Sequence, residues 1–106
     1  MAKDPLQPDR CAEQLKALSE PLRLRIINTL RPGPRSVSDL AEELGVEVVT
    51  VSHHLGILRN ARLVEKERKG RFILYRLPDD VFQPSASNRA NEHIDLGCCR
   101  LEIPKE

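Results

Sequence analysis

Long apolar runs are missing from this chain of 106 residues. No window approaches the roughly 18 consecutive apolar residues that a membrane span requires. The opening stretch "MAKDPLQPDR" also shows no apolar segment ahead of a small-residue cleavage site, as a signal peptide would. We therefore expect a cytoplasmic protein without a membrane partner, and the length fits one domain that is short for a roomy enzyme cleft.

Enzyme motifs are missing as well. The sequence has no Gly-rich phosphate loop, no convergent pair of acidic residues and no nucleophile with a base at suitable spacing. No internal repeat is visible either. We therefore expect a protein that is not an enzyme and that requires no cofactor.

Cysteine is scarce, with only Cys11, Cys98 and Cys99. An odd count does not suit the disulfide framework of a secreted protein, and in a reducing compartment free thiols are expected. Paired C-x-x-C or Cys/His spacings are absent, which disfavours a structural zinc site. Thiol chemistry or capture of a soft ion remains open.

Net charge is small, yet the charges are unevenly placed. The formal charge is +1, but residues 51–77 hold seven Lys and Arg against two Glu, whereas residues 78–106 hold three basic and six acidic residues. A positive field confined to one region indicates a local partner of negative charge.

Two helices are predicted in the first third of the chain. The first runs from Asp9, as N-cap, to Leu18, and its apolar face is formed by Cys11, Leu15 and Leu18. The second follows Ser19 as N-cap, has Pro21 in its first turn, and ends at the "PGP" of residues 32–34.

Two further helices follow in close succession. Ser36 and Asp39 predict the start of a short third helix that ends at Gly45. The fourth helix begins after only a turn. Its apolar stripe is Val48, Val51, Leu55 and Leu58, and its opposite face carries Thr50, His53, Ile57 and Asn60, flanked by Val49 and Gly56.

A hairpin and a polar segment complete the chain. Alternating residues 64–68 and 71–77 predict two strands around Lys69-Gly70, which form a wing. Residues 83–93 are polar and predict a linker, and short strands are expected on either side of Gly97. We place a domain boundary after residue 82, with one folded domain at 1–82 and a linker with a Cys-containing tail at 83–106.

The last two helices, their tight turn and the basic hairpin together predict a mainly α fold with a small β-hairpin, a winged helix-turn-helix. A helix entering the major groove of double-stranded DNA needs a small polar outer face, and the cations would neutralise phosphates. Thr50 and His53 are the candidates for base edges, and Ser52 and His54 for phosphates. The remaining DNA-binding candidates are Ser36, Arg59, Arg62, Lys69 and Arg71.

The segments "LSEPLRLRIINTL", "SVSDLAEELGV", "TVSHHLGILRNARLV" and "KERKGRFILYRL" resemble the ArsR/SmtB family of winged helix-turn-helix repressors, across residues 12–77. The resemblance implies a homodimer that binds an operator palindrome and leaves it when a metal, metalloid or oxidant changes the dimer. It also implies that the first helix lies at the dimer interface.

Three departures from the family pattern matter. Many metal-sensing members of the family carry a Cys-containing motif at the start of the third helix. Here that stretch is "RSVSDL", which has no cysteine, so this metal site is absent. Arg62 stands where "AGLV" usually has glycine, which requires another or a strained conformation at the helix exit. No dimerisation helix is evident after the wing, and His93 and Asp95 do not match the family's C-terminal zinc ligands.

The cysteines suggest a sensor site of their own. Thiolates are the ligands that soft ions prefer, and arsenic(III) favours three of them in a pyramid. Cys98 and Cys99 diverge in regular structure, but Gly97 permits an irregular backbone there. Cys11 would supply the third sulfur, within the chain or across the dimer, if the tail folds back over the first helix; packing is its alternative role.

Three hypotheses follow from these features. The first is a repressor whose operator affinity falls when the thiols capture arsenic(III) or another thiophilic ion. The second is a redox-responsive repressor that uses the same cysteines. The third is a protein-interaction module that does not bind DNA.

Overall fold

The computed structural model describes residues 6–83 and 91–104. Its helices are α1 Pro8–Leu18, α2 Pro21–Leu30, α3 Val37–Leu44 and α4 Val48–Asn60, and its strands are β1 Glu65–Lys69, β2 Phe72–Arg76, β3 Phe82–Gln83, β4 Asn91–Asp95 and β5 Arg100–Pro104. None of the helices in this described part is both long and apolar enough to cross a membrane. Most of the predicted linker, residues 84–90, lies outside the described residues.

The N-cap of α1 lies two residues before the predicted one. The N-cap is Gln7, in a left-handed conformation without a side-chain cap, and not Asp9. Pro8 explains the shift, because its fixed φ suits the first helical position and its missing N–H is not needed there. The predicted apolar face is also wrong at Leu15, which is 40% exposed. Gln14 is buried on that side instead.

The predicted N-cap of α2 is wrong as well. The cap is Glu20, whose carboxylate accepts a hydrogen bond from the Arg23 N–H at 3.0 Å. Ser19 instead closes α1, where its hydroxyl donates to the Lys16 carbonyl at 2.8 Å. Both residues precede Pro21 and both carry a side-chain oxygen, so the sequence pattern did not separate them.

The turn between α3 and α4 forms as predicted. The Ser36 hydroxyl oxygen accepts from the Asp39 N–H at 3.1 Å and caps α3. Gly45 ends the helix at φ 69°, a left-handed conformation that glycine adopts without a steric penalty. Only residues 45–47 separate the two helices, so α4 has little freedom to move relative to α3.

A single apolar core joins the four helices. Ile26 and Leu40 are fully buried, as are Val51, Leu55 and Leu58 of α4. The predicted stripe is wrong only at its first member, because Val48 is 48% exposed at the first position of the helix. The buried stripe therefore begins at Val51, and it fixes which face of α4 remains outside.

The wing forms with a register one residue beyond the prediction. β1 and β2 are antiparallel with Lys69 opposite Phe72, so the two-residue loop is Gly70-Arg71 and not Lys69-Gly70. Gly70 has φ 61°, as the first loop position of a tight hairpin requires. Two backbone hydrogen bonds between Arg35 and Tyr75, at 2.8 and 3.0 Å, attach β2 to the segment before α3.

The end of the chain forms a second sheet, ordered β3-β4-β5 and antiparallel. Two strands flank Gly97 as predicted, and β3 spans the boundary that we placed between residues 82 and 83. Ile94 and Leu96 are buried in the same core as the helices, beside Val81. This packing brings the turn at Gly97 against α1.

Candidate DNA interface and thiol cluster

The outer face of α4 is centred on Val49, His53, Gly56 and Asn60, which are all exposed. Val49 has 76% of its surface accessible. Thr50 and Ile57, which we placed at the centre, are half-buried at the edge of this face. The difference arises because the buried stripe starts at Val51 and not at Val48. Ser52 is exposed on the same side.

His54 points away from that face. Its Nδ1 lies 3.1 Å from Arg23 Nη1 and 3.8 Å from a carboxylate oxygen of Glu20. Arginine only donates, so the imidazole Nδ1 accepts. His54 thus ties α4 to the start of α2, and its predicted phosphate contact would require that arrangement to open.

The cations at the end of α4 and along the wing are available to a partner. Arg59, Arg62, Lys66 and Arg71 are exposed, and within the described residues none of them has an ion pair. Lys69 lies 4.0 Å from Glu67, a weak exposed contact. Both acidic residues of β1, Glu65 and Glu67, contact Arg76, which also contacts Asp79. The positive charge of the wing is therefore not cancelled locally.

Arg62 adopts the strained conformation, one of the two alternatives expected where arginine replaces the usual glycine. Its φ is 63°, and its N–H donates to the Arg59 carbonyl at 2.9 Å. A left-handed conformation costs an L-residue other than glycine roughly 1–2 kcal/mol. The exposed guanidinium is held directly beyond the C-terminus of α4.

The three cysteines meet at α1. Cys11, which is 8% exposed, forms a disulfide with Cys98, and their Cα atoms are 6.2 Å apart, within the usual range for this bond. Cys99 keeps a free thiol whose Sγ lies 3.9 Å from that of Cys98. All three sulfur atoms lie within 4.8 Å of one another. The expectation of three free thiols is wrong for this structure, because the packed tail places Cys98 directly on Cys11.

The backbone at Gly97, directly before Cys98 and Cys99, is irregular, as it must be if both thiols are to bind one ion. Gly97 has φ 86°, and its N–H donates to a carboxylate oxygen of Asp95 at 2.8 Å. The Leu96 N–H donates to the Cys99 carbonyl at 3.0 Å, which closes the hairpin between β4 and β5. Cys98 and Cys99 therefore lie in a turn, where adjacent side chains can converge.

Two residues gain importance that the sequence did not give them. Val49 stands at the centre of the exposed face of α4, although the helical pattern placed it on a flank. Gln14 is 2% exposed on α1, three residues after Cys11. The spacing of Cys11, Gln14 and Leu18 on one helical face was the available signal.

Comparisons with known proteins agree with this arrangement. The sequence model of a protein family, described as bacterial regulatory protein, arsR family, matches residues 20–66 of this chain. The HTH-type transcriptional regulator NmtR of Mycobacterium tuberculosis is 52% identical over 88 residues, which cover 81% of this chain and 73% of that protein. The crystal structure of the transcriptional repressor BigR from Xylella fastidiosa matches with a TM-score of 0.62 and 39% identity, covering 67% of this chain and 70% of that one.

A third similar structure is the homodimeric winged helix-turn-helix DNA-binding domain of Mb0332 from Mycobacterium bovis. It matches with a TM-score of 0.63 and 36% identity, over 65% of this chain and 64% of that one. These relatives argue against the third hypothesis, an interaction module that does not bind DNA, and against an enzyme. The contacts of individual side chains with DNA stay predictions. By its helix-turn-helix, its wing and these relatives, the chain belongs to the ArsR family of DNA-binding transcriptional regulators.

Proposed function

We propose that this chain is a repressor that binds its operator as a homodimer and releases it when Cys11, Cys98 and Cys99 capture arsenic(III) or another thiophilic ion. The observation that carries this proposal is the convergence of three sulfur atoms within 4.8 Å, although two of them are separated by 87 positions in the chain. Thiolates bind metal ions at about 2.3 Å in zinc sites, so sulfurs about 4.6 Å apart can share an ion after a small adjustment.

The exposed face of α4 would read the operator in the major groove. His53, Ser52 and Asn60 can exchange hydrogen bonds with base edges, and the methyl groups of Val49 can pack on the methyl group of thymine. Arg59 and Arg62 flank this face. Together with the wing residues Lys69 and Arg71 they would bind phosphates.

A homodimer suits this mode of binding. The related domain of Mb0332 is homodimeric. One α4 per protomer then meets two half-sites of a palindromic operator, because two-fold symmetry in the protein matches two-fold symmetry in the DNA. A dimer makes twice as many phosphate contacts as a monomer, so the slope of log K against log salt doubles as well.

Capture of the ion requires three thiols, so the disulfide must first be reduced. Three thiols and arsenous acid then give one arsenic trithiolate and three water molecules, and no electron is transferred in that step. The product joins α1 to the turn between β4 and β5 through the ion. Ion and DNA antagonise each other if they favour different arrangements of the dimer.

The test is fluorescence anisotropy of the reduced protein on DNA from directly upstream of its own gene, with and without arsenite. We expect tight binding that weakens with salt, and release by arsenite. The variant with Cys98→Ser and Cys99→Ser should bind DNA normally and ignore arsenite, whereas Lys16→Ala on α1 serves as a matched control that keeps all three thiols. Release of the double variant by arsenite would refute the site.

One observation favours the second hypothesis, a redox-responsive repressor. Cys11 and Cys98 are already bonded, and an accessible thiol at Cys99 lies beside them. Under this alternative, peroxide in the presence of a metal chelator releases the DNA, and a dithiol reductant restores binding. Cys99→Ser separates the two functions: oxidation needs only Cys11 and Cys98, whereas a trithiolate site needs all three sulfurs.

A further inference from the structure

Gln14 is the one residue with a polar side chain that is buried in the described part of the chain, at 2% exposure. It lies on α1 one turn after Cys11, so a shift of Cys11 that moves α1 as a unit also moves Gln14. It also lines a cavity of about 350 Å³ whose wall includes both Cys11 and Cys98. Gln14 therefore lies directly beside the thiol cluster.

The side-chain amide of Gln14 reaches the C-terminal end of α4, the recognition helix of the proposed DNA complex. Its Nε2 donates to the carbonyl of Ala61 at 3.2 Å, across 47 positions of sequence. Ala61 is the C-cap residue of α4, is 4% exposed, and immediately precedes Arg62. One buried hydrogen bond thus connects the helix that carries Cys11 to the point where α4 leads into the wing.

The other end of the same amide is unsatisfied. Oε1 of Gln14 is buried and has no hydrogen-bond partner among the residues that the structure describes. Almost all buried polar atoms in proteins are paired, and leaving one unpaired is unfavourable. A second arrangement of α1 against α4 in which Oε1 gains a partner would recover this loss and offset part of the cost of breaking the bond to Ala61.

We infer that Gln14 couples the thiol cluster to the DNA-reading surface, by holding the C-terminus of α4 in one arrangement until a change at Cys11 shifts α1. This inference rests on the proposed function, because it names how that sensor acts on the recognition helix. Gln14 touches neither ion nor DNA and is a positioning residue. The physical basis is a contact between α1 and α4 that both sites bias.

The test uses Gln14→Met, which keeps the length of the side chain and removes both polar atoms. We expect the reduced variant to bind arsenite within about twofold and operator DNA within about threefold of the wild type. The factor by which arsenite weakens DNA binding should fall by up to about tenfold, the equilibrium value of one net hydrogen bond. Ala17→Gly is the matched control, since it loosens α1 without removing the contact.

Hydrogen exchange of residues 57–64 in the full chain gives a readout that does not depend on DNA release. Cys11 is perturbed in two ways, by arsenite and by oxidation with diamide, which joins two thiols and is reduced to the hydrazine. A change of exchange in the wild type and in Ala17→Gly that is lost in Gln14→Met supports the inference. Gln14→Leu provides a second variant if Gln14→Met does not fold.

Two results would overturn the inference: equal exchange responses in the wild type and in Gln14→Met, or no response of residues 57–64 to either perturbation in the wild type. Failure of the proposed function looks different. In that case arsenite leaves DNA binding of the wild type unchanged, while diamide still alters exchange near Ala61 in a manner that depends on Gln14.

Discussion

Replacement of Arg62 by glycine should raise the stability of the fold and lower its affinity for DNA. The left-handed φ of 63° costs arginine roughly 1–2 kcal/mol. Glycine adopts this φ freely but loses more backbone entropy, by about 0.5–1 kcal/mol. The net gain is about 0.5–1 kcal/mol, which corresponds to a rise of about 2–4 °C in Tm for a domain of this size.

The effect on DNA binding has the opposite sign. One lost phosphate contact per protomer lowers the slope of log K against log salt by about 0.9, or about 1.8 for a dimer. A fourfold increase in salt should then weaken binding about tenfold less in Arg62→Gly than in the wild type. Arg62→Lys is the control, because it keeps both the charge and the strained φ.

Thermal unfolding and a salt titration of anisotropy measure the two effects separately. A Tm below that of the wild type would show that the helix exit is not strained at Arg62. An unchanged salt slope would show that the guanidinium does not contact phosphate. Either result would refute the corresponding half of the reasoning without affecting the other half.

Three further substitutions test the fold and the interface. Gly56→Ala should stabilise α4 by up to about 1 kcal/mol, because the added Cβ meets no described atom within 4 Å beyond the adjacent backbone of its own helix, yet it should weaken operator binding if this face contacts DNA; unchanged binding would argue that it does not. Ser36→Ala removes the cap of α3 and should lower the free energy of unfolding in urea by about 1 kcal/mol. Leu55→Ala should cost about 2–5 kcal/mol in the same assay, whereas Leu24→Ala, at a site 47% exposed, should cost far less.

The sequence predicted the four helices, the wing and the tight α3–α4 turn because local chemistry determines them. Ser36 and Gly45 have the side chain and the backbone freedom that helix ends require, and the spacing of Val51, Leu55 and Leu58 suits one helical face. Errors occurred where two neighbours satisfy the same local rule. Ser19 and Glu20 can both cap α2 by this rule, but Ser19 is used at the end of α1 and Glu20 caps α2.

Properties that depend on tertiary packing were not predictable in the same way. The hairpin register depends on the pairing of Lys69 with Phe72, because a loop of residues 69–70 and one of residues 70–71 both contain Gly70. Sequence spacing contains no information on the distance between Cys11 and Cys98. The second sheet sets that distance by burying Ile94 and Leu96 in the helical core.

The disulfide also changes the topology of the molecule. A bond between positions 87 residues apart encloses α1 from Cys11 onward, the other three helices and the wing in one covalent ring. Its closure stabilises the folded state by about 4–5 kcal/mol through the entropy of the unfolded chain. A protease cut anywhere between Cys11 and Cys98 would leave two fragments that separate only after reduction. The redox state of a single bond therefore governs how long a nicked regulator survives as one molecule.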